Sequence, residues 1–363
     1  MIAQKTGALS MATIRAACTL ALAAAVCAQT ASADVMVKKS LWGPATVGGR
    51  SQFPVYEELG VGVWQHTLSW REIAVARPAA PRDPADPAYR WPALDAALAD
   101  AAGRGIAVSL LVLRTPAWAN GGRSRAHAPR HPRDLAHFMA AASRRYPTVR
   151  YWMVWSEPTK PTNFRPLGNV RRAAHTYARM LDRSYGALKR VDPRDRVIGG
   201  NSFTVGTVRP RPWIRHLRLP DGRPPRMDLY GHNAFTRRRP LLSQPPLGRG
   251  FADFGDLDTL FRWLDRDLRE ARPDGRPLRV FVSEVSFPTG HANHEFNFFM
   301  TEELQAAWIA DALRETRRTP RIATFGYLGL YDDAIRPGGD QVERGLMRRD
   351  GSRKPAYAAF RDG

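Results

Sequence analysis

The sequence predicts a single-domain α/β protein, a (β/α)8 or TIM barrel occupying nearly the whole 363-residue chain. Three observations predict it. Apolar runs of strand length alternate with helical patterns, which is how βα units and a parallel sheet read in sequence. There are about eight such runs, the number that closes a barrel. No internal repeat, long low-complexity linker or sharp change of composition divides the chain, and its length suits one barrel.

The elements follow in order. Strands are predicted at Ser40–Trp42, Gly60–Leu68, Ala107–Leu113, Tyr151–Trp155, Arg196–Gly200, Met227–Gly231, Leu278–Ser283 and Ala323–Leu328. Each is an apolar run short enough for a strand buried on both faces. Helices are predicted at Pro92–Arg104, Pro132–Arg145, Val170–Val191, Asp256–Ala271 and Glu302–Arg318. Pro92 suits a first helical turn, where its missing N–H costs nothing. The Pro- and Asp-rich stretch Arg77–Arg90 and the Pro- and Arg-rich stretch Arg209–Pro225 read as extended surface loops, and Arg237–Pro240 as a basic turn. Trp64 and Trp70 read as core.

Residues 1–33 have the form of a secretory signal. Lys5 and Arg15 give a positive leader, Ala16–Ala28 is a short apolar stretch, and Ala31-Ser32-Ala33 is a small-x-small cleavage site before Asp34. The apolar stretch is too short to span a bilayer, so the expected location is secreted, periplasmic or the cell envelope. Cys18 and Cys27, the only two cysteines, both lie in this leader. The remainder, Asp34–Gly363, is therefore expected to have no disulfide and no thiolate metal site.

The formal net charge is +21. An arginine-rich solvated surface accounts for it, and a basic cleft for an anionic polymer is the sharper reading. Nucleic acid is not the expected partner, because the arginines are scattered and no basic helix, finger or aromatic-flanked basic repeat occurs.

Two strand-length runs stop at a glutamate: YWMVWSEP at Glu157 and LRVFVSEVSFPT at Glu284. A residue just after a barrel strand sits at the carboxyl end of the sheet, where active sites of this fold are built. Two such carboxylates are what glycoside cleavage needs: a proton donor, and a nucleophile or base. Apolar neighbours supply the raised pKa of an acid by desolvating its charged form. Among strand-end residues, Trp118, Tyr327 and Tyr331 are candidate sugar-stacking walls. His232 is a candidate to orient a carboxylate or hydroxyl, and Asn201 a candidate hydrogen-bonding group at a turn. His291, Asn293, His294 and Glu295 lack the helical His-Glu-x-x-His spacing and read as a polar loop beside the cleft, with no metal expected. No nucleophile elbow, phosphate loop or dinucleotide turn occurs.

Taken together, these segments resemble the retaining (β/α)8 glycosidases of clan A, closest in look to families 39 and 5. WSEPTKPTNF resembles the turn after strand four, FVSEVSFPT the nucleophile turn of strand seven, RTPAWAN the strand-three segment and GLMRRDGSRKPAYAAF the closing segment, in the clan's order. The resemblance implies a (β/α)8 barrel, retention of configuration, no cofactor, Glu157 as general acid/base and Glu284 as nucleophile. It also places Ser156 where the clan has an asparagine that hydrogen-bonds the sugar 2-hydroxyl. At the end of strand two, Gln65 and His66 stand in the region where many members have an arginine holding the nucleophile ionised. The expectation is therefore a secreted, monomeric retaining glycoside hydrolase acting on a neutral or anionic carbohydrate, with no membrane span. The alternative is a polysaccharide-binding protein on a glycosidase-like barrel that has lost turnover, which the altered Ser156 and Gln65 motivate. A basic envelope or nucleic-acid-associated protein with no sugar site is the third reading.

Overall fold

The computed structural model describes residues 39–242, 247–293, 295–296, 298–338 and 341–363. The leader, with Cys18 and Cys27, and His294 lie outside the described residues. Val37–Gly363 forms one compact unit. Its sheet is a closed barrel of eight parallel strands: β1 Lys39–Trp42, β2 Val63–Ser69, β3 Ala107–Leu113, β4 Tyr151–Val154, β5 Arg196–Phe203, β6 Leu229–Asn233, β7 Arg279–Val285 and β8 Ile322–Leu328. Each strand pairs with its sequence neighbours and β1 pairs with β8, so the sheet has no free edge.

A helix follows each strand: α1 Phe53–Glu58, α2 Asp95–Gly103, α3 Pro132–Arg145, α4 Val170–Val191, α5 Pro210–His216, α6 Leu257–Asp267, α7 Glu302–Arg318 and α8 Pro355–Asp362. Their starts are chemically marked. Asn169 and Thr301 cap α4 and α7 by accepting the N–H groups of Arg172 and Leu304, and prolines open α3, α5 and α8.

The predicted bounds of α3, α4 and α7 coincide with those observed. Three of the differences have physical causes. Helix α2 begins at Asp95 rather than Pro92, because the Leu94 N–H closes a tight turn onto the Pro92 carbonyl (2.8 Å). The predicted Asp256–Ala271 helix is α6 flanked by two short 3-10 turns, the first held by Asp253 and Asp256 capping each other. The stretch read as an extended loop at Arg209–Pro225 contains α5. Its prolines sit in the first turn, while Trp213 and Ile214 are fully buried and Trp213 packs 5.5 Å from the Tyr177 ring. Finally, β6 runs two residues further than predicted, to Asn233.

The core has two layers. Inside the barrel, Tyr151 meets Phe281 with ring centroids 6.2 Å apart, and the Ser283 hydroxyl lies 3.8 Å from the Met153 sulfur. Both contacts join β4 to β7, which are not neighbours in the sheet, so they cross the lumen. Between sheet and helices lies the larger apolar layer, in which Trp64 packs on Phe53 of α1 and Trp70 on Phe138 of α3. Both tryptophans are fully buried.

The C-terminal segment is fastened by one buried ion pair. Lys354, the residue before α8, donates to Asp332 (2.7 Å) and Thr289 (3.0 Å), and neither charged side chain exceeds 5% exposure. A buried charge left without its partner is strongly destabilising. Lys354→Ala should therefore lower the unfolding free energy by about 3–5 kcal/mol in urea titration. A loss under about 1 kcal/mol would show that this segment does not need the pair.

Candidate active site

Glu157 and Glu284 come to the same end of the barrel, by different local devices. β4 stops at Val154, and the chain then turns through two left-handed non-glycine residues, Trp155 (φ 67°) and Glu157 (φ 41°). Such conformations cost energy and persist only where surrounding contacts impose them. Those contacts are present. The Trp155 N–H bonds the Val112 carbonyl (2.8 Å), and its indole bonds the Asn163 carbonyl (2.8 Å). The Asn201 amide donates to the Trp155 carbonyl (2.5 Å). Tyr177 of α4 donates its hydroxyl to the Val154 carbonyl (2.8 Å) and accepts the Gly200 N–H (3.0 Å), clamping β4 to β5. Lys160 N–H returns to the Glu157 carbonyl (3.0 Å), which folds the WSEPTKPTNF turn back over the glutamate.

Glu284 is placed by a β-bulge. Phe325 of β8 pairs with Val282, and Tyr327 with Val285, so Ser283 and Glu284 together oppose Gly326. A Cβ at position 326 would run into the carbonyl oxygens of Ser283 and Val282. Only glycine leaves room for the bulged strand. Ser283 faces the lumen, as Phe281 does two residues earlier, and the extra residue breaks the alternation after it, at Glu284. A second bulge, at Gly200 and Asn201 on β5, uses the space over Gly231, where a Cβ would overlap the Asn201 side chain.

The two carboxylates differ in their partners. Glu157 is 7% exposed. It accepts from Asn233 of β6 (3.0 Å) and from Asn163 (3.3 Å), and pairs with Lys160 (2.9 Å). Glu284 is partly open to the mouth and, among the described residues, has no hydrogen-bond donor or cation paired with it. Gln65 does not supply one. Its amide donates to the Ser283 carbonyl (2.9 Å) and the Ser40 hydroxyl (3.2 Å), bracing the bulge from inside the barrel. His66 is stacked on Trp64, ring centroids 5.0 Å apart. Burial, and then the nearby charge of Glu157, push Glu284 above the ordinary carboxylate range; the positive charges of Lys160 and Arg344 oppose this.

The other sequence candidates are placed as follows. Ser156 lies beside Glu157 and is nearly buried. Asn201 is buried, with its amide spent on the β4 turn, so it positions Glu157's loop. His232 is fully buried and both its ring nitrogens are engaged, Nδ1 with the Ser202 hydroxyl (2.9 Å) and Nε2 donating to the Ala252 carbonyl (2.7 Å). Burial lowers it to about 4. Tyr327 is also fully buried, donating to the Arg344 carbonyl (2.8 Å). Tyr331 is half-buried and donates to Gln52 (2.6 Å), tying the residue that precedes α1 to the segment after β8. Trp118 stands against Trp70 (5.8 Å), donates to the Ala74 carbonyl (2.8 Å) and carries the Arg77 guanidinium over its face (4.6 Å). None of these side chains bonds either glutamate among the described residues. Glu295, in the polar loop, pairs with Arg344 (2.7 Å). No group of three His, Cys, Asp or Glu side chains is arranged to hold a metal ion among the described residues.

Sequence reading missed the residues that touch Glu157. Asn233 follows His232, and strand alternation sends one of the pair into the mouth and the other behind the sheet. Ending β6 two residues early hid which was which. Lys160 and Asn163 were in view inside WSEPTKPTNF, but only the turn's closure brings them onto the glutamate. The aromatic side of the mouth is a chain of half-buried phenylalanines. Phe203 packs on Phe235 (5.5 Å), Phe235 on Phe296 (5.9 Å) and Phe296 on Phe298 (5.6 Å), and Lys160 covers the Phe203 face (4.1 Å). Trp42, at the end of β1, donates its indole N–H to the Ser283 carbonyl (3.0 Å).

This architecture is that of known glycoside hydrolases. A family 39 glycoside hydrolase from the gut symbiont Bacteroides cellulosilyticus WH2 superposes with a TM-score of 0.64 at 18% identity, over 90% of this chain and 63% of that one. A monomeric beta-xylosidase from Caulobacter crescentus CB15 gives 0.61 at 17% identity, covering 90% and 67%. A glucosidase from Croceicoccus marinus gives 0.60 at 14%, covering 90% and 66%. The chain thus spans about two thirds of the length of these structures or slightly less, and the likeness is one of fold. No protein-family model and no curated protein matches the sequence.

Replacing Gly326 by alanine tests the bulge. Gly326→Ala should cost roughly 1–3 kcal/mol of stability, as overpacking does, and a crystal structure of the variant should show Ser283 and Glu284 displaced. An unmoved β7 with unchanged stability would refute the role given to Gly326.

Proposed function

We propose that this protein is a retaining glycoside hydrolase, exported by its N-terminal leader, with Glu157 as general acid/base and Glu284 as nucleophile. The observation that carries this reading is the convergence of two strand-end carboxylates at one barrel mouth, near enough for the charge of Glu157 to raise Glu284. The family 39 and xylosidase neighbours support it at the level of fold.

In the first step Glu157 protonates the glycosidic oxygen while Glu284 attacks the anomeric carbon. In the second, the Glu157 carboxylate takes a proton from water, which displaces Glu284 and frees the sugar. Asn233 and Asn163 fix the Glu157 carboxyl by donating to its two oxygens. The phenylalanine chain from Phe203 to Phe298 forms an aromatic wall on which Lys160, Arg344 and Arg237 lie over the rings of Phe203, Phe296 and Phe298. Attack requires Glu284 ionised, so its raised pKa sets the acid limb of the pH profile above that of an ordinary glutamate.

The second reading, carbohydrate binding without turnover, draws on a specific observation. The Gln65 amide is spent on a backbone carbonyl, and among the described residues no cation is paired with Glu284. One substitution separates the two. Glu284→Gln should abolish reducing-sugar release from a panel of neutral and acidic polysaccharides and aryl glycosides. Because a group whose folded pKa is raised loses its stabilising contribution as pH rises through that value, the same variant should unfold at a higher temperature than wild type in alkaline buffer. Turnover equal to wild type would reject Glu284 as nucleophile. Release of no sugar by either protein, with glycan binding retained by both, would favour the binding reading.

Lys160 gives an independent check. Its charge favours the ionised form of Glu284. Lys160→Gln should therefore move the acid limb of kcat/KM to higher pH. A limb that stays put or moves down would show that the Lys160 charge does not favour the ionised form of Glu284.

A further inference from the structure

Outside the barrel, a groove of about 820 Å3 runs between the outward faces of α3 and α4. Its walls follow from the sequence. Arg133, His137, Ala140 and Arg144 of α3 are spaced by four, three and four residues, which puts them on one helical face. Arg179, Arg183, Gly186 and Arg190 of α4 repeat the same spacing. The small residue in each set, Ala140 and Gly186, lies at the groove floor with Ala136 and Ala187. The cationic rows therefore stand on either side of a shallow, small-residue channel, each row extending about 16 Å along its helix. Arg82, whose carbonyl accepts from Arg144 (2.9 Å), adds a further charge, and Arg223 and Arg226 close one end.

Eight arginines line this groove against two aspartates. Both aspartates are already taken, Asp182 by Arg226 (2.7 Å) and Asp221 by Arg223 (2.7 Å). Arg82, Arg133, Arg144, Arg179, Arg183 and Arg190 are all exposed, and among the described residues none has a carboxylate partner. Elsewhere many surface arginines are paired, as in Arg145–Asp95 and Arg321–Asp265. Unpaired like charges facing each other across a narrow channel repel, and a bound polyanion removes that cost. His137 registers the crowding: burial, and then the charges of Arg82 and Arg133, hold it below its usual value against the opposing pull of Asp134.

We propose that this groove binds an acidic polysaccharide chain, carboxylated or sulfated, at a site separate from the mouth that holds Glu157 and Glu284. Guanidinium groups match carboxylate and sulfate in a bidentate fork, and two parallel rows suit a chain with regularly spaced acids better than a single small anion. The lining contains no Phe, Tyr or Trp, so it lacks the stacking platforms by which single-stranded nucleic acid is held.

The test uses the whole protein and three probes at fixed moderate salt: polygalacturonate, dextran sulfate and a single-stranded oligonucleotide, with neutral dextran as blank. The groove variant combines Arg133→Ser, Arg179→Ser and Arg183→Ser. The control combines Arg50→Ser, Arg262→Ser and Arg318→Ser, which removes the same charge from exposed positions elsewhere. Calorimetry or interferometry should show polygalacturonate, dextran sulfate or both bound by wild type. The groove variant should bind roughly tenfold or more weakly, while the control stays within about twofold. Which of the two glycans binds more tightly identifies the acid. Equal losses in both variants would reduce the effect to net charge, and unchanged binding in the groove variant would remove the site. An oligonucleotide held more tightly than either glycan through the same arginines would assign the groove to nucleic acid instead. Each of these outcomes reads binding alone and is independent of Glu284 turnover.

Discussion

The mouth of this barrel depends on the absence of a side chain at Gly326. Parallel strands in a closed sheet alternate strictly, and a regular β7 would commit Ser283 and Glu284 to opposite faces. The bulge breaks that alternation, and it exists because the facing residue of β8 presents no Cβ to the carbonyls of Val282 and Ser283. Gln65 from β2 and Trp42 from β1 then both donate to the Ser283 carbonyl, holding the bulge from within. A backbone irregularity supported by three other strands thus sets the position of one carboxylate.

The charge distribution around the two glutamates is uneven, and the unevenness has a structural origin. Glu157 rides on a short turn that folds its own lysine and asparagine back over it, with Asn233 arriving from β6. Glu284 rises directly from a strand, where the neighbouring side chains point into the lumen or behind the sheet, so donors do not collect around it. Burial and like charge act on it together. The two carboxylates thus have unlike surroundings: Glu157 is buried among two amide donors and a lysine, whereas Glu284 feels burial and like charge with no paired donor among the described residues.

The same contrast between paired and unpaired charge appears on the outside. The high positive charge of the chain is spread over a surface where many arginines meet aspartates or glutamates. Between α3 and α4 it is not. There, two helices bring matched rows together, and small residues between them keep the channel open. The solvated-surface reading of the composition suits the paired arginines, and the basic-cleft reading suits this flank rather than the mouth.

The fold was legible in the sequence because a (β/α)8 barrel writes itself as apolar runs and amphipathic helices. The helices α3, α4 and α7 could be bounded from their caps and periodicity, since those signals are local. The two strand-end glutamates were legible for the same reason: each ends an apolar run. Helix α5 was not, because its prolines and arginines look like a loop and only the burial of Trp213 against Tyr177 makes it a helix. Nor were the partners of Glu157, or the burial of His232 and Tyr327. Those depend on which way a strand faces at its last two residues, and one bulge or a two-residue shift in a strand end reverses that. By itself the sequence determined the architecture and the two acids; tertiary structure alone decided which neighbours each acid has, because contacts between distant strands are set by register and closure rather than by local pattern.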